Sequence, residues 1–264
     1  MKNRVVVITG ASKGIGAELA RQLAERGARL VLAARNAQEL ESVADECKKR
    51  GAQVITVRAD VSVERDCAAI MSGASLAFGG IDVLVNNAGA TMWARFEDIK
   101  DLSILDRIMK VNYMGAVHCT AHALPYLRET GGLLVGISSL AGRTGVPTRT
   151  GYSASKHAMT GFFDSLRIEL AGSGVDVTMV YPGFVSTGIR ENATGPDGKP
   201  IEVSPVKEGE VMGVEECARR IVRAIDRRER EVIMTARGKI GLWLKLFAPS
   251  LVDRIAKRAI EKGR

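Results

Sequence analysis

The architecture of this chain turns on residues 4–16, RVVVITGASKGIG. Arg4–Thr9 is an unbroken apolar run of strand length, the pattern of a strand buried on both faces. Thr9–Gly16 is a glycine-rich turn that opens a helix predicted over Gly14–Gly27, with Ile15, Leu19 and Leu23 on one face. A strand that turns through glycines into a helix N-terminus offers backbone N–H groups to a pyrophosphate. Gly10 permits the tight turn, Gly14 close approach of a ligand, and Gly16 close helix packing. The spacing is G-x-x-x-G-x-G rather than the commoner G-x-G-x-x-G, so alone it is a moderate signal.

Outward from that stretch, strands and helices alternate. Strands are predicted over Arg29–Ala33, Gln53–Arg58, Asp82–Asn86, Leu133–Ser138, Val175–Val180 and Glu231–Thr235. Helices are predicted over Ala37–Arg50, Val63–Phe78, Leu105–Leu127, Tyr152–Ala171 and Val214–Arg227. Alternation with continuous apolar strands means a parallel sheet covered on both faces. The expected fold is α/β: a doubly wound Rossmann fold with seven parallel strands in the order 3-2-1-4-5-6-7 and helices on both faces.

Composition agrees with one large domain. The chain has 264 residues, 46% hydrophobic and 26% charged, enough for a sizeable core. Aromatic residues make only 5%, which disfavours stacking on single-stranded nucleic acid. The net charge of +8 fits an anionic ligand, an acidic surface or a solvated basic exterior. Cys47, Cys67, Cys119 and Cys217 are scattered, indicating neither a disulfide framework nor a metal site and suiting a reducing cytoplasm. No run reaches the length of a membrane span, and the N-terminal apolar run is too short for a secretory leader.

The second strand ends Leu32-Ala33-Ala34-Arg35. In the dinucleotide fold a carboxylate there holds the ribose 2′-hydroxyl, whereas an Arg accommodates a 2′-phosphate. Arg35, with Lys13 in the glycine-rich turn, therefore argues for NADP(H). Residues 151–157 read GYSASKH, placing Tyr152 and Lys156 four apart on one helix face. A phenol holds its proton to about pH 10; a nearby ammonium favours the phenolate and fits it for acid–base work. The pair alone more often means a packed aromatic beside a surface Lys. Further motifs lie at C-terminal strand ends, where such sheets bind ligands: NNAG over Asn86–Gly89, Ser138-Ser139, and Tyr181-Pro182-Gly183. Asn112, within an apolar helix, needs a hydrogen-bonding reason to be there.

TGASKGIG, NNAG, Asn112, Ser139, Tyr152-x-x-x-Lys156 and Pro182-Gly183, in this order and spacing, resemble a short-chain dehydrogenase/reductase over about residues 3–235. Within that family the chain is similar to the NADPH-linked carbonyl and hydroxysteroid reductases; its Tyr–Lys spacing is narrower than in the enoyl reductases. The resemblance implies a ketone or aldehyde reductase, reversible as an alcohol dehydrogenase. It implies that Tyr152 gives or takes the proton and that Lys156 binds the nicotinamide ribose and lowers the Tyr152 pKa. Ser139, rather than the adjacent Ser138, would hold the substrate oxygen, and Asn112 a water leading to solvent. Gly10, Ser12, Lys13, Gly14, Ile15, Gly16, Arg35, Asp60, Val61, Asn87, Ala88 and Gly89 would surround the cofactor. Pro182, Gly183, Val185 and Thr187 would do so from the far side. Asp60 would meet the adenine, Asn87 the ribose side, and Val185 and Thr187 the carboxamide. The implied partners are a small carbonyl or alcohol substrate and a second copy of the chain, as homodimer or homotetramer through the Leu105–Leu127 and Tyr152–Ala171 helices. A non-catalytic NADP(H) sensor and a membrane-surface protein are the rival readings.

Trp93, Leu140, Val146, Phe184 and Ile189 are candidates for an apolar substrate pocket, with Met92 and Phe96 beside Trp93. Residues 190–213, rich in Gly, Pro and charge, read as an irregular substrate lid within a domain spanning 1–237. Residues 238–264 form an amphipathic extension interrupted at Pro249. It can pack on the core, against a partner subunit, or on a membrane surface. His118 and His122 are four apart on a helix, without a carboxylate at metal spacing, and read as surface or subunit-contact residues.

Overall fold

The protein is described by a computed structural model covering residues 1–187, 193–201 and 211–261. Seven strands form one sheet: β1 Val5–Thr9, β2 Arg29–Ala34, β3 Val54–Arg58, β4 Val83–Asn86, β5 Leu133–Ile137, β6 Asp176–Tyr181 and β7 Glu231–Ile233. Their order is 3-2-1-4-5-6-7 and every pairing is parallel. This is the doubly wound sheet expected from the alternation.

Helices α1 Gly14–Ala24, α2 Ala37–Lys49 and α7 Val214–Arg227 serve one face; α3 Glu64–Phe78, α5 Gly115–Thr130 and α6 Thr150–Glu169 serve the other. The strand period divides the core accordingly. Val6 and Ile8 pack with Leu19, Leu23 and Ile221, whereas Val5 and Val7 pack with Ile70, Cys119 and Phe163. Both faces are buried, which is why β1 reads as a continuous apolar run.

The helix predicted over Leu105–Leu127 departs from a regular spiral. It runs as α4 Ser103–Met109, a π turn at Lys110–Met114, then α5. Asn112 lies inside that turn, nearly without exposure. A π turn adds one residue to a helical repeat, and such turns recur at functional sites.

The described parts of the 190–213 segment are tied down. Thr194 N–H donates to the Thr91 carbonyl at 2.9 Å, and Trp93 N–H to the Thr194 carbonyl at 2.9 Å. Met212 and Phe184–Ser186 exchange two backbone bonds. Ala193 is fully buried. These described pieces extend the walls after β4 and β6; the rest of the expected lid lies outside the described residues.

After β7 the chain forms α8 Ala236–Phe247 and α9 Pro249–Glu261, broken where Pro249 requires it. Thr235 caps α8 through the Gly238 N–H at 3.0 Å. The Lys245 ammonium donates to the Arg143 carbonyl at 3.0 Å, and Gly238 packs so near Leu140 that a Cβ there would lie 2.9 Å from it. So α8 is anchored to the core on one side. On its other side Ile240, Trp243, Leu246 and Phe247 stand exposed.

Candidate active site

The site lies beyond the C-terminal ends of β1 and β4, where the strand order reverses. A cavity of about 670 Å³ opens there. The glycine-rich turn forms its floor. Gly10 has φ +65°, and a Cβ on it would stand 2.8 Å from the Ala88 Cα. A Cβ on Gly16 would stand 2.4 Å from the Gly10 carbonyl oxygen. Any side chain at either position would displace backbone. No side chain caps the N-terminus of α1 and no acid lies in its first turn, so its N–H groups face the cavity as an anion site. The donor set and the glycine cradle fit a dinucleotide pyrophosphate.

Asn87 holds this turn in place. Its side-chain amide donates to the Thr9 carbonyl at 2.9 Å and to the Gly10 carbonyl at 3.1 Å. The Thr9 hydroxyl in turn accepts from the Asn87 and Ala88 N–H groups. Both amide hydrogens of Asn87 are thus committed to the turn, and Asn87 also lines the cavity.

Ser12, Lys13, Gly14, Ile15, Arg35, Asp60, Val61, Ala88, Gly89, Pro182, Gly183, Val185 and Thr187 all line the cavity. Gly16 sits behind the wall as a packing residue. One Asp60 carboxylate oxygen accepts from the N–H and the hydroxyl of Ser62, at 2.9 and 2.8 Å. Glu39 was missed from the sequence. It follows the Asn36 cap of α2, lines the cavity, and stands 3.7 Å from the Lys13 ammonium. A carboxylate does therefore reach the Arg35–Lys13 corner, from the helix rather than the strand end.

At the other end of the cavity, Tyr152 and Lys156 sit on the first turns of α6, both buried. The Lys156 ammonium donates to the Ile137 carbonyl at 2.8 Å and lies 5.9 Å from the centre of the Tyr152 ring. Burial pushes the Tyr152 phenol up, but Lys156, Arg149 and the Ser139 hydroxyl bring it below the ordinary phenol range. Burial draws the Lys156 ammonium down, against the pull of Tyr152. The two serines separate by direction. The Ser138 hydroxyl points into α6, 3.3 Å from the Lys156 carbonyl, whereas Ser139 faces Tyr152.

Asn112 does not line the cavity; it braces its wall. Its side-chain oxygen accepts from the Ala90 N–H at 2.7 Å, while its amide donates to the Ala90 carbonyl at 2.9 Å and the Ser155 hydroxyl at 2.8 Å. That accounts for an amide inside an apolar helix.

The apolar candidates divide. Phe184 lines the cavity. Met92 is fully buried in a small cluster with Ala94, Ile104, Ile108 and Tyr152, against which Val146 packs. Leu140 turns toward α8, as its approach to Gly238 shows, and Phe96 is exposed. Trp93, Leu140 and Val146 are off the cavity lining, and Ile189 lies outside the described residues. Periodicity could not separate the described ones because they sit in loops and single short helical turns. His122 faces Glu64 across α3 and α5 at 3.5 Å, away from the cavity.

Two further residues of the catalytic end were missed. Arg149, at the N-cap of α6, is only 7% exposed, and its guanidinium lies 4.2 Å from the centre of the Tyr152 ring. Thr91 accepts from one of its nitrogens at 2.5 Å. The i, i+3 relation of Arg149 to Tyr152 was the available signal.

A doubly wound sheet with a pyrophosphate cradle at its switch point and a Ser–Tyr–Lys cluster beside it defines an oxidoreductase of the nicotinamide-dinucleotide class. The chain belongs to the short-chain dehydrogenase family: the family model described as short chain dehydrogenase matches residues 4–197. It is 37% identical over 258 residues to a Dictyostelium discoideum dehydrogenase/reductase SDR family protein 7-like, covering 96% of this chain and 80% of that one. It is 38% identical over 260 residues to 11-beta-hydroxysteroid dehydrogenase 1A of Arabidopsis thaliana, covering 95% and 73%. The structure is similar to an X-ray structure of an alcohol dehydrogenase from the archaeon Thermococcus sibiricus complexed with 5-hydroxy-NADP. There the TM-score is 0.75 and the identity 28%, with 88% of this chain and 96% of that one covered.

Proposed function

We propose that this protein is an NADPH-dependent reductase of ketones or aldehydes, reversible as an alcohol dehydrogenase, acting on an apolar or amphipathic substrate. The observation that carries this reading is the convergence of Ser139, Tyr152 and Lys156 on the same cavity as Arg35, Lys13 and the uncapped N-terminus of α1. The relatives support it: hydroxysteroid dehydrogenases recur among them, and the similar archaeal structure holds an NADP derivative.

The glycine-rich turn and α1 would hold the pyrophosphate, Arg35 and Lys13 the 2′-phosphate, and Lys156 the nicotinamide ribose. When bound, the nicotinamide supplies a hydride to, or accepts one from, the carbon of the C=O/CH–OH pair. Ser139 donates to the substrate oxygen and fixes it against Tyr152. The Tyr152 hydroxyl delivers the proton to that oxygen in reduction; its phenolate removes it in oxidation. Lys156 steadies the phenolate. Asn112 keeps the Ala90 wall and Ser155 in place behind this pair. Phe184 supplies an apolar surface near the reacting end. The test is NADPH consumption, followed at 340 nm, against cyclic and long-chain ketones; turnover of apolar carbonyls supports the reading, and no turnover of any carbonyl contradicts it.

Two partner assignments go with this reading. A homodimer or homotetramer through α5 and α6 is supported by the exposed Ile168 on α6. For the C-terminal hairpin, of the three placements open from the sequence, we propose an anionic membrane surface. Residues 236–264 hold eight Lys or Arg against two Asp or Glu, six of the chain's eight net positive charges. The same hairpin exposes Trp243 and Phe247, whose rings meet at a tilt with centres 5.0 Å apart. No described helix is long and apolar enough to cross a membrane. Co-sedimentation with phosphatidylserine vesicles tests this; a dimer that loses the contact when α8–α9 is altered would contradict it.

A further inference from the structure

We propose that Arg149 is a positioning residue of the catalytic centre: clamped by Thr91, it lays a second cation on Tyr152 and shares with Lys156 the stabilisation of its phenolate. This rests on the assignment of Tyr152 as the acid–base residue.

The geometry is specific. The guanidinium carbon of Arg149 lies 4.2 Å from the Tyr152 ring centre, nearer than the Lys156 ammonium at 5.9 Å. Trp93 and Phe184 stand around the same guanidinium at 5.7 and 5.9 Å. A cation over an aromatic face is attracted by the ring's electron density, the more so when water is excluded and when the ring bears a phenolate. The Thr91 hydroxyl, just after NNAG, accepts from Arg149 at 2.5 Å and limits where the guanidinium can go. The two cations therefore approach Tyr152 from different anchors: Lys156 through the end of β5, Arg149 through the loop after β4.

Among the described residues, the charged groups bearing on Tyr152 are Lys156 and Arg149, both from α6 and its N-cap. Ser139 faces it from the loop after β5, and its hydroxyl adds a neutral donor. Among the described residues, the acids that line the cavity, Glu39 and Asp60, belong to the β2–β3 side of the sheet. Arg149 and Lys156 both act against the cost of burying a phenolate; Arg149 also draws the Lys156 ammonium down. A guanidinium does not itself titrate in the working range, so its contribution persists where a lysine's fades.

The test reads Tyr152 directly and needs no substrate. Tyrosinate absorbance at 295 nm is followed from pH 6 to 10, each protein being compared with its own Tyr152→Phe version. In Arg149→Met, which keeps much of the bulk and loses the charge, the Tyr152 midpoint rises. At a fixed pH below that midpoint, its phenolate population falls about tenfold or more. Arg149→Lys restores part of the lost phenolate. A Tyr152 midpoint unmoved in Arg149→Met, with only the thermal midpoint lowered, would make Arg149 a packing residue and overturn the proposal. Should Arg149→Met fail to fold, Thr91→Val gives the second test. It keeps charge and volume but removes the clamp, and the midpoint is expected to rise less; no movement overturns the proposal. A normal titration with no effect of Tyr152→Phe on turnover would instead fault the underlying functional assignment.

Discussion

Helices α6 and α8 are both amphipathic and both border the active-site region, yet they are finished in opposite ways. On α6, Tyr152, Ser155, Lys156, Met159 and Phe163 are buried, and the polar groups next to Tyr152 are tied to neighbouring elements. Ser155 donates to the Tyr152 carbonyl and accepts from Asn112; Lys156 donates to β5. On α8, one side rests on Leu140 and Arg143 while Trp243 and Phe247 remain 67% and 71% exposed. A face whose Ser155 and Lys156 are fixed by hydrogen bonds holds a geometry. A face with uncovered aromatics and surrounding cations holds affinity for something outside the fold. The proposed chemistry and the proposed membrane contact thus fall on separate elements, and each can be broken alone.

The largest effect is expected on the α6 side. Tyr152→Phe removes one hydroxyl and should lower kcat by about 10²–10⁴-fold, the usual worth of a positioned acid–base group. NADPH affinity, read by fluorescence titration, should stay near wild type; retained turnover would take Tyr152 out of its role. Next is Asn112→Ala, which removes the partner of the half-buried Ala90 N–H and carbonyl and the amide that the buried Ser155 hydroxyl accepts from. It should cost about 2–3 kcal/mol in denaturant unfolding; a loss below ~0.5 kcal/mol would mean the wall repairs itself. The pH dependence follows from the depressed Tyr152 phenol. Oxidation of an alcohol needs the phenolate, so its rate should rise and level off below the ordinary phenol range. Reduction needs the protonated form and should decline over the same interval; an oxidation limb rising only above pH 10 would contradict the depressed value.

The smallest effect on the fold, and the one that sharpens the contrast, belongs to α8. Trp243→Ser with Phe247→Ser should change stability by no more than ~0.5 kcal/mol, since both side chains are exposed. The same pair should abolish most vesicle co-sedimentation and leave turnover of a soluble ketone unchanged. A large loss of stability would place these side chains in a packed interface instead.

The sheet was legible because its strands are buried on both faces and carry no competing pattern; β1 through β6 fall within one residue of their expected ends. Tyr152, Lys156 and Ser139 were singled out by the family resemblance, since the Tyr–Lys spacing alone favoured a packed aromatic beside a surface lysine. The π turn at Lys110–Met114 was not, since an i→i+5 register leaves little trace in the apolar period; only the oddity of Asn112 hinted at it. Glu39 and Arg149 were missed for a shared reason. Each reaches the site from a helix start, a position where a charged residue ordinarily signifies solvation. Trp93, Leu140 and Val146 lie outside the cavity lining, a detail that no periodicity could settle from the sequence.

The most direct measurement is the thermal midpoint of the full chain titrated with NADPH and, separately, with NADH. NADPH at a hundredfold excess over its Kd should stabilise the fold by about 2.7 kcal/mol. NADH at the same concentration should do far less, and Arg35→Asp should erase the difference. Equal stabilisation by both would contradict the 2′-phosphate assignment, and stabilisation by neither would contradict the dinucleotide site itself.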